Sequence, residues 1–323
     1  MKILKTLTTF GNVAGLPAAF LFLFSACGNP AVDTNGISVT AGAVKTVVDA
    51  AGRSVDIPIN PSRVLALSEG DLDAALALGL KPVGACAGRG QEGFPRYLGE
   101  QTEGITLLGA LYRPSFDRVV TADPDLILLG GWVDENLLSQ LEEVAPVLVT
   151  YGGEDTWKSL LLRLGDQLGR SEQAEAFLAE YDAEILMAQE RLGERHSSTV
   201  SVVRWNPRGP MYMLEDSFAR QVLKDIGLQT PSSQQVEGVA HSPVLSFEEL
   251  HLIDADYVFM GTLSTGGEAG AAMSSAMDTP AFQQLQAVRH GRVSEVDGSL
   301  WTSVGGPLAA VALVRETATL LGD

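Results

Sequence analysis

The sequence predicts an α/β fold of two similar lobes, each with a central, mostly parallel sheet, joined by a long rigid helix, with a ligand cleft between the lobes. Three observations support this: an internal repeat, apolar strand-like runs that alternate with helical segments, and a helix-forming stretch between the halves. A chain of 323 residues, 46% hydrophobic and 19% charged, can form two compact lobes.

The internal repeat aligns residues 115–130, SFDRVVTADPDLILLG, with residues 246–261, SFEELHLIDADYVFMG, without a gap. Five positions are identical, and most of the others keep their class. In each copy an acidic residue after Ser-Phe favours a helix start, and Asp-x-Asp leads into an apolar run typical of a strand buried on both faces. Because buried strands alternate with helices, the duplication predicts two lobes with parallel sheets.

The similarity extends upstream, where SRVLALS before the helical segment DLDAALALGLKP parallels STVSVVR before SFARQVLKDIGLQTP. Between the halves, residues 157–193 are rich in Ala, Leu, Glu and Gln, with Ser171 as predicted N-cap and Gly193 as helix stop. A helical connection limits relative motion, so we expect only a small closure on ligand. The predicted organisation is an N-terminal lobe at 45–156, connecting helices at 157–194 and a C-terminal lobe at 195–323.

The first 26 residues are typical of a signal peptide, because Lys2 and Lys5 are the only charges before an apolar run at 16–24. Ser-Ala-Cys follows and resembles a bacterial lipobox, although Phe24 stands where Leu is usual. We therefore expect Cys27 to be lipidated and residues 27–44, rich in small and polar residues, to form a flexible tether. The alternative is an ordinary cleaved signal. No later segment has the roughly 20 apolar residues of a membrane span.

The formal net charge of -18 argues against nucleic acid as a partner and against a basic membrane-binding face. Cys86, in the apolar run PVGACAG, is expected to be a small buried hydrophobe. The sequence contains no G-x-x-x-x-G-K-[ST] phosphate-binding loop, no G-x-S-x-G, no H-E-x-x-H and no C-x-x-C motif. Its four histidines lack the close pairing that is typical of metal sites. We therefore expect no catalytic residues, no metal ligands and no cofactor.

Candidate ligand-binding residues follow the predicted strands, since ligands of α/β sheets bind beyond the carboxyl ends of the strands. Arginine offers bidentate donors to anionic oxygens, and Trp or Tyr offers a flat apolar surface with a polar tip. This combination suits a medium-sized, oxygen-rich, partly aromatic or anionic ligand. The candidates are Arg204, Trp301, Arg89, Trp132, Tyr151, Arg113 and Trp205, with Ser68, Glu69, Thr262, Tyr112 and His241 as further residues in the same contexts.

Asp117 and Glu248 occupy equivalent positions of the repeat. In a pseudo-symmetric molecule they lie at symmetric places, one per lobe, where they can meet two basic residues of a dimeric partner. Helix capping is the simpler explanation from the residues alone.

The chain resembles the solute-binding proteins of ABC importers for iron siderophores, haem and vitamin B12. The resemblance is carried by VVDAAGRSVDIPINPSRVLAL, ALGLKPVG, both repeat segments, VSVVRW and HGRVSEVDGSLWTSVGGPLAAVALV, and it covers nearly everything from Lys45 to Asp323. It implies two lobes joined by a rigid helix and one acid per lobe, here Asp117 and Glu248, that pairs with permease arginines. In the family the first acid is commonly Glu.

Within that group the chain is most similar to ferric-siderophore binders, in which the arginine at the position of Arg204 faces the ligand and the chelator alone holds the iron. The resemblance implies a monomeric lipoprotein, anchored on the outer face of the membrane, that delivers an iron chelate to a dimeric ABC permease. Haem or cobalamin is the alternative cargo, and His241, Tyr112 and Tyr151 are potential haem ligands. An exported α/β enzyme and a purely structural lipoprotein are alternatives of a different class.

Overall fold

The computed structural model describes residues 42–322, except Trp132, Val133, Glu154 and Thr265. The strands are β1 (Val44–Val48), β2 (Ser54–Pro58), β3 (Val64–Ala66), β4 (Gly84–Cys86), β5 (Thr106–Ala110), β6 (Arg113–Pro114), β7 (Leu126–Leu128), β8 (Val147–Leu148), β9 (Val200–Asn206), β10 (Gly209–Tyr212), β11 (Tyr257–Gly261) and β12 (Val293–Glu295). The helices are α1 (Glu69–Ala77), α2 (Phe116–Thr121), α3 (Glu135–Glu142), α4 (Trp157–Gln167), α5 (Ser171–Leu192), α6 (Phe218–Ile226), α7 (Gly267–Met277), α8 (Pro280–Gln283), α9 (Gln286–Arg289), α10 (Gly298–Trp301) and α11 (Pro307–Gly322).

The strands of the two halves form separate sheets. The N-terminal lobe contains a sheet in the order β6-β5-β4-β3-β7-β8, parallel except for the β5–β6 pair, and the C-terminal lobe contains a sheet in the order β10-β9-β11-β12, parallel except for the β10–β9 pair. The residues of β3, β4 and β7 are all buried, as their apolar sequences predict. The predicted α/β class with two sheet-based lobes is therefore confirmed.

Both copies of the repeat form a helix followed by a buried strand. The first copy supplies α2 and β7, and the second supplies a 3-10 helix at Phe247–Ile253 and then β11. The second Asp of each Asp-x-Asp has the same function in both lobes. Asp125 accepts hydrogen bonds from the backbone amides of Ser62 and Arg63, at 2.7 and 2.9 Å, just before β3, and Asp256 accepts one of 2.8 Å from the amide of Thr199, just before β9. The repeat thus preserves the contact that fixes the start of the neighbouring strand.

The connection between the lobes consists of α4 and α5. Gly193 ends α5 with a positive φ of 54°, as predicted. Ser171 is not the N-cap; it is the first helical residue, and Arg170 precedes it without a side-chain capping bond. The last helix, α11, packs mainly on α5 and also on α1 and α6, so the end of the predicted C-terminal lobe belongs structurally to the connection.

One apolar core runs through the connection and into both lobes. It includes Leu128 of β7, Trp157 and Tyr181 of the connecting helices, and Phe259 of β11. The rings of Trp157 and Tyr181 meet edge to face, with centroids 4.7 Å apart. Burial in this core favours a fixed helical connection over a loose linker.

Among the described residues, none of the helices combines the length and apolar character needed to cross a bilayer. The predicted signal peptide, the Cys27 lipidation site and the tether as far as residue 41 lie outside the described residues. The first strand begins at Val44, inside the predicted end of the tether. Cys86 is a buried free thiol, as expected, and burial raises its pKa to about 12.

Candidate functional site

A cavity of about 700 Å³ lies where residues of the two lobes and the connection meet. The N-terminal lobe lines it with Arg89, Tyr112 and Tyr151, the connection with Trp157 and Leu160, and the C-terminal lobe with Arg204, Met213, Asp216, Phe218, His241 and Ser303. Cavities of this size hold small molecules of drug or cofactor size. The structure therefore brings Arg204, Arg89, Tyr151, Tyr112 and His241, all predicted from sequence, to one cavity.

Arg204 lies within β9, although the sequence placed it after the strand. Its side chain is 7% exposed, and one Nη donates to the carbonyl oxygen of Thr302 at 3.1 Å while the other contacts the sulfur of Met211 at 2.9 Å. Among the described residues its Nε has no hydrogen-bond partner. Burial, and then the positive charge of Arg89, lower the pKa of Arg204. A buried guanidinium in the cavity wall beside a second arginine is a candidate binding site for an anionic group.

Arg89 follows β4 and is half-buried at the cavity wall. Its backbone amide donates to Oε1 of Glu69 at 2.6 Å, and the hydroxyl of Ser303 donates to Oε2 of the same carboxylate, also at 2.6 Å. Glu69 is 5% exposed, and burial raises its pKa against the lowering effect of these hydrogen bonds. Glu69 thus lies behind the wall and contacts residues that line it from both lobes.

Tyrosine side chains form the aromatic part of the N-terminal wall. The Tyr151 hydroxyl donates to Oγ of Ser68 at 3.2 Å, and burial raises the pKa of Tyr151 well above its usual value, so the phenol stays protonated. Gly131 has φ +87°, and a Cβ there would lie 2.3 Å from the Tyr112 hydroxyl oxygen. Only glycine fits this position, because it permits both the backbone conformation and the approach of the tyrosine.

The carboxylates in the cavity wall are engaged by neighbouring protein groups. Asp155 forms a two-pronged ion pair with Arg163, which lowers the pKa of Asp155, and Asp134 accepts from the amide of Leu137 at 2.9 Å as the N-cap of α3. Asp216 accepts from the amide of Gly238 at 2.7 Å. The wall therefore combines two arginines with one ion-paired acid and two acids that accept backbone hydrogen bonds.

Several of the predicted residues do not line the cavity. Trp205 follows Arg204 on β9, so its side chain points to the opposite face of the sheet and packs in the core of the C-terminal lobe. Trp301, with 0% exposure, packs its ring edge to face on Phe259 at 4.8 Å. Arg113 is exposed in the edge strand β6. Trp132 lies outside the described residues. Thr262 does not line the cavity, and its hydroxyl donates a hydrogen bond of 2.7 Å to the carbonyl oxygen of Ser264.

Trp157 and Phe218 line the cavity but were not predicted. Each is the first residue of a helix, after the N-caps Thr156 and Ser217. In the C-terminal lobe the hairpin strand β10 separates β9 from α6, so wall residues lie at a helix start and not directly after a parallel strand. The Thr and Ser capping signals were the features that could have identified them.

The segment 88–93, GRGQEG, around Arg89 has the spacing of a glycine-rich dinucleotide loop. Such loops require an α-helix directly after them, whose N-terminus binds the phosphates. Here a 3-10 helix at Arg96–Thr102 follows instead, with non-helical dihedral angles at Gly99. The segment therefore lacks the context of a nucleotide site.

Within the described part of the chain, no group of three or more His, Cys, Asp or Glu side chains is placed to hold a metal ion.

Asp117 and Glu248 are both exposed in the first turns of the repeated helices. Ser246 donates its amide to Glu249 at 2.9 Å, so Glu249, and not Glu248, supplies the capping carboxylate of the second helix. The side chains of both repeat acids are without a hydrogen bond or ion pair among the described residues. The capping explanation therefore has no contact to support it at either position.

Residues 71–300 match the family model described as periplasmic binding protein. The chain belongs to the periplasmic binding protein family. Solved structures similar to this binding protein include Staphylococcus aureus SirA complexed with staphyloferrin B, with a TM-score of 0.74, 23% identity and coverage of 86% of this chain and 98% of that one. Bacillus subtilis FeuA complexed with ferri-bacillibactin gives a TM-score of 0.69, 19% identity and the same coverages.

Three curated relatives match between 81% and 93% of this periplasmic binding protein. The probable siderophore-binding lipoprotein YfiY of Bacillus subtilis is 27% identical over 306 residues, covering 93% of this chain and 94% of the relative. The iron(3+)-hydroxamate-binding protein FhuD of the same organism is 28% identical over 296 residues, covering 87% and 90%. The achromobactin-binding periplasmic protein of Dickeya dadantii is 26% identical over 266 residues, covering 81% and 87%.

Proposed function

We propose that this protein captures an iron(III) siderophore outside the cytoplasm and delivers it to the membrane permease of an ABC importer. The observation that carries the proposal is the buried guanidinium of Arg204, which lines a 700 Å³ cavity together with Arg89. Relatives named for binding siderophores, among them YfiY and FhuD, support the same cargo class.

The cargo is an anionic chelate. Arg204 and Arg89 bind its carboxylate, catecholate or hydroxamate oxygens, and Tyr112, Tyr151, Trp157 and Phe218 contact its carbon skeleton. The chelator supplies every ligand of the iron, and the protein supplies none. The protein binds this cargo and does not transform it, so it has no catalytic residues.

The delivery step uses Asp117 and Glu248. Each carboxylate is exposed, lies on the same element of its lobe and is free to pair with a basic residue of a dimeric permease. Complementary charge of this kind directs orientation and the rate of encounter more than affinity. The protein acts as a monomer, tethered to the membrane by a lipid on Cys27.

Haem is the second candidate cargo, because His241 lines the cavity together with Tyr112 and Tyr151. The Nδ1 of His241 lies 3.0 Å from the carbonyl oxygen of Ser242, which leaves Nε2 available as an iron ligand. The arginine pair would bind the haem propionates in this case.

Isothermal titration calorimetry with a panel of chelates tests the proposal. The panel comprises ferric staphyloferrin B, ferri-bacillibactin, ferrichrome, ferric citrate, haem and cobalamin. We expect saturable one-to-one binding of at least one ferric chelate, with weaker binding of the same chelator without iron. Binding of haem or cobalamin alone would replace the siderophore proposal, and no binding to any of the six compounds would refute it.

A further inference from the structure

A buried carboxylate lies between the two walls that carry the arginines. Glu69 is the first residue of α1, and both of its oxygens are used: Oε1 accepts from the Arg89 amide and Oε2 from the Ser303 hydroxyl, each at 2.6 Å. Arg89 belongs to the N-terminal lobe, and Ser303 follows α10 of the C-terminal lobe. One side chain therefore bridges residues that are far apart in sequence and face the same cavity.

The bridge also reaches the second arginine. Ser303 directly follows Thr302, whose carbonyl oxygen accepts the 3.1 Å hydrogen bond from Arg204. The Thr302 hydroxyl in turn donates to the carbonyl of Gly298 at 2.6 Å, which fixes the end of α10. Displacement of Ser303 would therefore shift the carbonyl that orients Arg204.

Glu69 is not needed to cap its own helix. The N-cap of α1 is Ser68, whose Oγ accepts from the amide of Asp71 at 3.1 Å, while Asp71 accepts from the Ser68 amide, also at 3.1 Å. Burying an ionisable carboxylate is costly, and burial raises the pKa of Glu69. A buried acid that is dispensable for capping is typical of a functional position.

We propose that Glu69 is a positioning residue, which sets the separation and orientation of Arg89 and Arg204 by bonding the Arg89 loop to Ser303 across the cleft. The inference rests on the proposed function in its final step, ligand binding, but the link between the lobes can be measured without ligand. A second link at this edge, between Arg96 and Asp297, includes a 2.9 Å hydrogen bond from Nε. Both partners are about a third exposed, so solvent weakens that pair and leaves the buried Glu69 link dominant.

Hydrogen exchange of the ligand-free, full-length protein tests the link. Ser303→Ala removes only the bond on the C-terminal side, yet we expect it to accelerate exchange in the segment 87–90 of the other lobe. Glu69→Ala should accelerate exchange in both 87–90 and 303–305. Glu69→Gln should restore protection, because its amide oxygen can accept from Arg89 and its NH₂ can donate to Ser303.

Ser197→Ala and Glu190→Ala serve as matched controls, since Ser197 bonds only to the nearby carbonyl of Glu194 and Glu190 is exposed. Neither control should change exchange in 87–90. If Ser303→Ala leaves that segment as protected as in the wild type, the two walls are not coupled and the inference is refuted.

Dissociation of a bound ferric chelate, followed by stopped flow, tests the final step. Ser303→Ala should accelerate dissociation about tenfold, as expected for one lost charge-assisted hydrogen bond. The double variant Glu69→Ala, Ser303→Ala should dissociate no faster than Glu69→Ala alone, because both act through one link. Additive effects would contradict the inference. If the wild type binds no chelate, the proposed function fails, while the exchange experiment still decides whether Glu69 couples the walls.

Discussion

The carboxylate of Asp73, in the first helix, accepts a hydrogen bond of 2.7 Å from the backbone amide of Leu308, in the last helix. Its other oxygen accepts from the amide of Ala309 at 3.0 Å and from the hydroxyl of Tyr97 at 2.7 Å. A residue of α1 therefore satisfies first-turn donors of α11, a role that N-cap side chains usually play within their own helix. This contact fixes the end of the chain on the N-terminal lobe.

The buried position of Asp73 predicts a pH-dependent stability. Burial raises the pKa of Asp73 from 3.8 to about 6, despite the opposing hydrogen bonds. Because the folded state then holds this proton more tightly than the unfolded state, the free energy of unfolding should fall as the pH rises from 4 to 6 and stay level above that. Asp73→Asn removes this titration. Relative to the variant, the wild type should lose about 3 kcal/mol across that window.

Urea unfolding at a series of pH values, with wild type and Asp73→Asn side by side, measures this difference. The other buried acids titrate in both proteins and largely cancel. A difference between the two proteins that stays constant from pH 4 to pH 6 would show that Asp73 keeps an ordinary pKa.

Replacing Arg204 should weaken ligand binding without unfolding the protein. Arg204→Ala removes the guanidinium from the cavity wall, so the Kd for an anionic ferric chelate should rise about 10- to 100-fold. Arg208→Ala is the matched control, because Arg208 is exposed in the turn between β9 and β10. Equal affinities of the two variants in calorimetry would remove Arg204 from the binding site.

Trp157 should report ligand binding by fluorescence. It lines the cavity, whereas Trp205 and Trp301 do not. Quenching by a ferric chelate falls steeply with distance, so Trp157→Phe should lose a larger share of the binding-induced quenching than Trp205→Phe. The amplitude at saturating ferric chelate is the measurement. Equal losses in the two variants would place the ligand elsewhere.

Charge reversal at the repeat acids should separate uptake from binding. Asp117→Lys together with Glu248→Lys should abolish siderophore-dependent iron uptake by cells, because the permease contact becomes repulsive, and should leave the Kd of the isolated protein unchanged. Reversal of the exposed acids Glu103 and Glu190 is the control for net charge. Uptake that survives the first double reversal, or that is lost equally in the control, would contradict a specific docking role.

The sequence predicted those parts of the site that depend on local order along the chain. Arg89 and Tyr151 follow parallel strands, and the carboxyl ends of such strands define a binding edge wherever the sheet forms. Trp205 and Trp301 were assigned by the same rule, but neither lines the cavity, because alternation along β9 and packing on Phe259 decide where these rings point. Trp157 was missed because its wall position depends on how α4 meets the C-terminal lobe.

By itself, then, the sequence determined the α/β class, the duplicated helix–strand unit and the positions of Arg89 and Tyr151 beyond parallel strands, because repeats, hydrophobic period and strand order are local properties of the chain. Only the tertiary structure decided that Glu69 meets Ser303 and that Asp73 caps α11. These contacts join residues from opposite ends of the chain. Their geometry follows from the packing of the connecting helices and both lobes, which no local pattern encodes.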